Sequence, residues 1–253
     1  MTGIHREIFG QGQPLVMIHG WSMHTGIWRG FARQLAKQWQ VICLDLPGHG
    51  RSENVEPFDL PTISAALFDA IPVNRFSLLG WSLGATIALD MAASRPERVK
   101  SLYLLAGNPK FVKVPGWPGV RPEVLEGFSG QLCEDARLTL HRFLGLQVQG
   151  LDDGKRLLQE LRLAVEECEA PAIEALQGGL RILKKADLRP ALAGLCCPVT
   201  VIQGDKDTLI PIQTGNALQS LRPGAGLHVL ENAGHVPFLS HAARLCEIIA
   251  ADR

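Results

Sequence analysis

The sequence lacks the features that would mark it as a nucleic-acid-binding or membrane protein. Its 25 Lys and Arg residues balance 25 Asp and Glu residues, so the 253-residue chain carries no net charge at pH 7. Nucleic-acid-binding domains usually carry a basic face, which is not expected here. No apolar stretch approaches the roughly 18 residues of a membrane helix, and residues 1–7 lack the apolar core of a signal peptide. We therefore expect a soluble, cytoplasmic protein that binds neither nucleic acid nor membrane.

The six cysteines are scattered along the chain and form no C-x-x-C pair. A chain of this length buries enough surface to fold without cross-links, so we expect neither a disulfide framework nor a metal site. Cys196 and Cys197 are adjacent, and adjacent cysteines bridge only with strain. We predict that both are buried free thiols.

Short apolar runs alternate with helix-length segments in both the first and the last part of the chain. The runs are apolar on both faces, which is typical of strands covered on both sides, and the alternation predicts an α/β fold with a mainly parallel sheet. The predicted strands cover 15–18, 41–44, 76–79, 102–105, 199–202 and 227–230, and the predicted helices cover 31–37, 62–71, 83–93, 212–221 and 242–251.

The alternation stops after residue 105 and resumes near residue 199. The segment between has helical patterning, and it begins with many prolines and glycines, as expected where a chain leaves a sheet. We predict an α/β core formed by residues 1–109 and 190–253, with residues 110–189 inserted as a helical cap.

The most informative motif is G-x-S-x-G at residues 80–84, between a predicted strand and a predicted helix. This is the context of a nucleophile elbow, in which a tight turn exposes its central serine at the carboxyl end of a strand. Ser82 is therefore the predicted nucleophile.

An acid and a base follow in the chain order that this architecture uses. Asp205 and Asp207 both follow the strand at 199–202, and we favour Asp207 as the acid because Asp205, nearer the strand, is more suited to closing the turn. His235 follows the last predicted strand and is the predicted base. In this mechanism, Ser82 attacks an acyl carbonyl and needs no metal or organic cofactor.

The loop after the first apolar run, His19-Gly20-Trp21, is predicted to lie beside the elbow. Its position favours the backbone N–H groups of Trp21 and Leu83 as the donors to a developing oxyanion. We interpret His19 as a structural residue of this loop.

These motifs, together with Asp45-Leu46-Pro47-Gly48-His49-Gly50, resemble the α/β-hydrolase superfamily. Narrower motifs at 117–128, 142–147 and 178–184 are similar to those of the pimeloyl-[acyl-carrier protein] methyl ester esterases of biotin synthesis. The resemblance implies a serine carboxylesterase that removes the methyl ester of a pimeloyl chain carried by acyl carrier protein. It also implies an acyl pocket lined by Trp21, Ser82, Leu83, Phe143, Leu144, Gly145, Leu146, Gln147 and His235.

Acyl carrier protein is acidic, so a basic face on the cap is expected. Residues 110–189 hold 12 Lys and Arg against 12 Asp and Glu, so a docking face requires segregation of these charges. The candidates are Arg137, Arg142, Lys155, Arg156 and Arg162.

Two other functions fit the same motifs: a broad short-chain carboxylesterase, and a hydrolase of carbon–carbon bonds with this triad and a helical cap. A receptor with a hydrolase fold would commonly have lost a triad residue, and all three are present here. The protein is expected to be a monomer.

Overall fold

In the computed structural model, which describes residues 3–251, the chain forms seven strands and eleven α-helices. The outermost residues of the predicted core, 1–2 and 252–253, lie outside this range. The strands are β1 (Arg6–Phe9), β2 (Gln13–Ile18), β3 (Trp39–Leu44), β4 (Phe76–Trp81), β5 (Val99–Leu105), β6 (Val199–Gly204) and β7 (Gly226–Leu230). The helices are α1 (Arg29–Leu35), α2 (Leu60–Ala70), α3 (Leu83–Ser94), α4 (Pro122–Glu134), α5 (Ala136–Gln147), α6 (Gly154–Glu166), α7 (Ile173–Lys185), α8 (Arg189–Gly194), α9 (Gln213–Leu221), α10 (Pro237–Ser240) and α11 (Ala242–Ala251), with a 3₁₀ turn at Thr25–Trp28.

The strands form one sheet in the order β1-β3-β2-β4-β5-β6-β7. All neighbouring pairs are parallel except β1 and β3, which are antiparallel. The α/β fold class is confirmed, and the six predicted strands correspond to β2 through β7. Strand β1 was not predicted; it is a four-residue edge strand whose residues are only partly covered.

Side chains that alternate along the central strands enter two different hydrophobic cores. Val16 and Ile18 of β2 face the core that contains α2 and α3, whereas Leu15 and Met17 face the core that contains α1 and α11. All four are completely buried. Because both faces of the sheet are covered, its strands read as continuous apolar runs.

Helices α4 to α7 follow one another between β5 and β6, inside the segment predicted as a cap. Their apolar residues recur at helical spacing: Leu157, Leu161 and Ala164 are the buried residues of α6. Asp135 precedes helix α5, and its side chain accepts a hydrogen bond from Leu138 N at 2.9 Å, which caps the first turn.

All six cysteines are free thiols. Cys197 is buried, but Cys196 is exposed, so the prediction of two buried thiols is wrong for Cys196. The two residues lie in the connection between α8 and β6, outside the covered sheet.

Candidate active site

Close backbone packing shapes the elbow that carries Ser82. A Cβ atom on Gly80 would lie 2.2 Å from Gly84 O, and one on Gly84 would lie 2.3 Å from Ile18 O, so only glycine fits at either position. Between them, Ser82 adopts φ 56° and ψ −117°, a conformation that costs a non-glycine residue energy. The elbow thus presents the serine at the junction of β4 and α3.

The structure brings the three predicted catalytic side chains into one hydrogen-bonded row. Ser82 Oγ lies 2.8 Å from His235 Nε2, and His235 Nδ1 lies 2.8 Å from Asp207 Oδ2. The side chains of His235 and Asp207 are fully buried. Because a carboxylate only accepts hydrogen bonds, Nδ1 carries the proton and Nε2 is free to accept the proton of Ser82.

Asp207, rather than Asp205, faces the histidine. The second oxygen of Asp207, Oδ1, accepts hydrogen bonds from Leu209 N and Ile210 N at 2.8 and 2.9 Å. These two amides fix the carboxylate and leave Oδ2 for His235. Asp205 N instead donates to Leu230 O at 3.1 Å, which extends the pairing of β6 with β7 by one hydrogen bond.

Two contacts that the sequence analysis missed hold the loop of His235. Trp81 Nε1 donates to His235 O at 2.8 Å, and His235 N donates to Gln147 O at 3.2 Å. The hydroxyl of Thr208, next to the acid, donates to Leu146 O at 2.9 Å. The last turn of α5 therefore supplies acceptors to both loops. The one sequence signal for the role of Trp81 in holding His235 is its position inside the elbow motif.

The loop after β2 lies directly against the elbow. A Cβ atom on Gly20 would lie 3.2 Å from Ser82 Cβ, which places Trp21 beside the nucleophile. Leu83 is the first residue of α3, where backbone N–H groups have no acceptor within the helix. Both predicted oxyanion donors thus belong to segments that contact Ser82.

Aromatic rings connect this loop to the cap. Trp21 packs edge-on against Phe143 with ring centroids 4.9 Å apart, and Phe143 packs in the same way against Phe128 at 5.7 Å. Trp21 Nε1 also donates to Leu176 O at 2.8 Å. These contacts form an apolar lining that runs from Trp21 across α5 to α4.

The other residues of the predicted acyl pocket are distributed around α5. Gln147 is 1% exposed, and neither atom of its amide has a partner among residues 3–251. Leu146 is half-buried and packs against the core that contains Trp21 and Phe143. Leu144 packs in the other core, with residues of α6, and a Cβ atom on Gly145 would meet no atom within 4 Å. The structure therefore gathers Trp21, Phe143 and Leu146, and places Leu144 and Gly145 on other sides of the helix.

Two buried histidines close to the site stay uncharged. Burial lowers the pKa of His19 to about 3 and that of His49 to about 3. Leu46 N donates to His19 Nε2 at 2.9 Å, so the proton of His19 is on Nδ1, which donates to Gly20 O at 2.8 Å. His19 thus connects two loops, as expected of a structural residue.

A cavity of about 470 Å³ lies between α5, α6 and the start of α7. Leu140, Leu144 and Leu176 form part of its apolar wall, and Arg137 and Arg162 also line it.

Within residues 3–251, no group of three or more His, Cys, Asp or Glu side chains could hold a metal ion. Every helix in the described part of the chain is too short or too polar to span a bilayer.

The predicted docking cations differ in their partners. Arg156 forms ion pairs with Asp153 and Glu160. Arg142 is exposed and donates to Gln131 Oε1 at 3.0 Å. Three further cap cations are exposed, and among the described residues they have no ion pair: Arg137, Lys155 and Arg162.

Comparison with known proteins first defines the class. Residues 13–242 match the sequence model of the α/β-hydrolase fold. Among solved structures, the esterase EaEST from Exiguobacterium antarcticum superposes with a TM-score of 0.89 at 24% identity, covering 99% of this chain and 95% of that one. An enol-lactonase from Burkholderia xenovorans LB400 superposes with a TM-score of 0.85 at 20% identity, covering 99% and 96%. At these identities the superpositions establish the fold.

Sequence relatives narrow the class. A pimeloyl-[acyl-carrier protein] methyl ester esterase of Methylococcus capsulatus is 40% identical over 98% of this chain and 97% of its own. Proteins of the same name from Nitrosomonas europaea and Klebsiella pneumoniae are 39% and 37% identical, over 95% and 99% of this chain and 95% and 98% of theirs. The chain therefore belongs to the α/β-hydrolase family and, within it, to the family of the pimeloyl-[acyl-carrier protein] methyl ester esterases, as its motifs predicted.

Proposed function

We propose that the protein is a serine carboxylesterase that hydrolyses the methyl ester of pimeloyl-[acyl-carrier protein] in biotin synthesis. The observation that carries this proposal is the buried row Ser82, His235 and Asp207, with 2.8 Å between successive partners, beneath a helical cap. Relatives named for this reaction align with nearly the whole chain, including the cap.

The row can carry out both halves of the hydrolysis. His235 Nε2 takes the proton of Ser82 as Oγ attacks the ester carbonyl carbon, and the same proton then passes to the methoxy oxygen as its bond to carbon breaks. Methanol leaves, and the acyl chain remains on Ser82. A water molecule next attacks the acyl carbon, giving one proton to His235, which returns it to Ser82 Oγ as the free carboxyl group departs.

Asp207 and the oxyanion donors stabilise the charges that this sequence creates. The Asp207 carboxylate keeps the proton of His235 on Nδ1 and stabilises the imidazolium that forms in each half. The N–H groups of Trp21 and Leu83 are proposed to bind the carbonyl oxygen as it becomes negative. Removing one such donor typically costs about 3 kcal/mol of transition-state stabilisation.

A substrate on a carrier protein must reach a serine that is only 3% exposed. The proposed acyl pocket is therefore one that a slender chain enters from the cap, along the apolar lining formed by Trp21, Phe143 and Phe128. The acidic carrier is proposed to dock on the cap cations Arg142, Lys155 and Arg162, with Arg137 near them. Arg156 contributes less, because Asp153 and Glu160 already offset its charge.

The reaction is tested by mass spectrometry of pimeloyl-carrier protein methyl ester, incubated with the wild type and with Ser82→Ala. The wild type should remove one CH2 from the mass, and Ser82→Ala should leave it unchanged. If the wild type spares this ester and hydrolyses a short p-nitrophenyl ester, the substrate assignment fails and a broad carboxylesterase takes its place.

Docking is tested by charge reversal. Arg142→Glu should raise KM for the carrier-linked ester several-fold and leave KM for free dimethyl pimelate unchanged. Arg33→Glu, which reverses an exposed charge on α1 of the core, is the matched control. Equal effects of Arg142→Glu on both substrates would contradict a docking role.

A further inference from the structure

The loop after β5 contains a buried amide that neither the fold nor the triad uses. Asn108 is 2% exposed, and among residues 3–251 neither its Oδ1 nor its Nδ2 has a hydrogen-bond partner. Buried polar groups in folded proteins nearly always have a partner, because leaving one unpaired forfeits its interactions with water. Such an amide beside a reaction centre is suited to bind a group that arrives with the substrate.

Asn108 directly follows residues that contact the nucleophile elbow. Ser82 N donates to Leu105 O, the last residue of β5, at 3.1 Å. A Cβ atom on Gly107 would lie 3.3 Å from Ser82 O and 2.3 Å from Ala85 Cβ. The residue before Asn108 is therefore packed against the elbow itself.

The order of the strands gives the side of Ser82 on which Asn108 lies. Strand β4, which leads to Ser82, lies between β2 and β5 in the sheet. The loop after β2 carries Trp21, on the side of the oxyanion donors. The loops after β5, β6 and β7 carry Asn108, Asp207 and His235, on the opposite side.

The chemistry of the proposed reaction places the leaving oxygen on this second side. That oxygen receives its proton from His235 Nε2, so it must face His235 and point away from the oxyanion donors. The water that later attacks the acyl group gives its proton to the same nitrogen and so occupies the same place.

We infer that Asn108 forms the leaving-group subsite: its Nδ2–H donates a hydrogen bond to the methoxy oxygen as methanol departs, and then to the oxygen of the attacking water. The inference rests on the proposed function. A hydrogen bond to the departing oxygen matters most for methoxide, which is a poor leaving group. It matters little for p-nitrophenolate, which departs without a proton.

The test compares two esters of the same acid in the wild type and in Asn108→Leu, whose side chain is similar in size and cannot form hydrogen bonds. For methyl pimelate esters, kcat/KM should fall at least tenfold. For the p-nitrophenyl ester it should fall less than threefold. Asn108→Ser, which keeps a donor, should retain more of the methyl esterase activity than Asn108→Ala.

Stability separates this role from a structural one. Replacing an unpaired buried amide with an apolar side chain of similar shape should leave Tm unchanged or raise it. Gln203→Leu is the control. The Nε2 of this buried amide donates to Thr214 Oγ1 at 2.5 Å, whereas its Oε1 has no partner among residues 3–251, so the substitution breaks one hydrogen bond and Tm should fall.

The inference is overturned if Asn108→Leu slows both esters equally, slows neither, or lowers Tm as Gln203→Leu does. Should Asn108→Leu not fold, the same criterion is applied to Asn108→Ser and Asn108→Ala, using the ratio of kcat/KM for the methyl ester to kcat/KM for the p-nitrophenyl ester. A wild type without methyl esterase activity would refute the proposed function, whereas an active wild type with an unaffected Asn108→Leu would refute this inference alone.

Discussion

The sheet core and the cap hold the site in different ways. The core fixes Ser82 through backbone contacts that leave no space, such as the 2.2 Å that would separate a Cβ of Gly80 from Gly84 O. The cap is joined to the core by apolar packing and a few directed bonds. These include Trp21 Nε1 to Leu176 O, His24 Nε2 to Ala164 O, and the Arg29–Glu167 ion pair.

This difference suits the core to proton transfer and the cap to substrate selection. Proton transfer between side chains tolerates little displacement, because misplacement by about 1 Å can cost a hundredfold in rate. Such groups belong on the rigid part of the molecule. Substrate selection requires apolar surface and charge, which helices with few fixed bonds can provide.

The largest expected effect is the loss of the acid in the core. Asp207→Asn keeps the shape of the side chain but presents an amide to His235, which favours the wrong tautomer and should lower kcat about 10⁴-fold. Asp205→Asn is the matched control and should stay within about threefold of the wild type. Steady-state kinetics with a p-nitrophenyl ester measures both. Similar losses in the two variants would contradict the assignment of Asp207.

Two glycine substitutions compare the core and the cap directly. Gly84→Ala places a methyl group 2.3 Å from Ile18 O, so backbone must move, and we expect a loss of more than about 3 kcal/mol in the free energy of unfolding. Gly179→Ala on α7 places its methyl group 2.7 Å from Trp21 Cδ1, a side-chain atom. It should cost about 1–3 kcal/mol.

Urea unfolding measures both losses. Equal stabilities of the two variants would contradict the proposed difference between backbone packing in the core and side-chain packing in the cap. Gly179→Ala should also lower kcat/KM for the carrier-linked ester, because Trp21 lines the proposed pocket. Activity that stays at the wild-type level would separate Trp21 from substrate binding.

A gradual, pH-dependent effect on stability concerns two buried histidines of the core. In the unfolded chain His19 and His49 titrate near pH 6.5, whereas in the folded protein burial holds their pKa at about 3. Between these values the unfolded state binds more protons, so stability falls as the pH is lowered from about 6.5 towards 3. Each histidine contributes a slope of about 1.4 kcal/mol per pH unit within this window.

Urea unfolding of the wild type and of His49→Gln between pH 4 and pH 8 measures this slope. At acid pH, the slope of the unfolding free energy against pH should be smaller in the variant by the contribution of one histidine. Above pH 7 both histidines are neutral in both states, so the two curves should run parallel there, which serves as the internal control. An unchanged acid slope in His49→Gln would show that this residue is charged in the folded protein.

The parts of the molecule that were predictable are those that local chemistry determines. The elbow follows from glycines two residues on either side of Ser82, and β2 through β7 follow from apolar runs. Strand β1 was missed because it pairs on one side only and has partly covered residues, which leaves a weak pattern.

Long-range contacts left no trace in the sequence. Nothing near Gln147 or Leu146 indicates that their carbonyl groups accept bonds from His235 N and the Thr208 hydroxyl, 88 and 62 residues away. Asn108 carried a faint signal, because a polar residue just after a buried strand lies at the carboxyl edge of a parallel sheet. Such a pattern predicts where a residue lies in the sheet, but it does not predict which groups its side chain contacts.

The acceptors at the end of α5 restrict how this enzyme could be redesigned. Here the loops that hold the base and the acid both donate to the last turn of a cap helix. A transplanted cap would have to end a helix at the same place, with two free carbonyl groups in the same orientation, for the recipient's catalytic residues to keep their alignment.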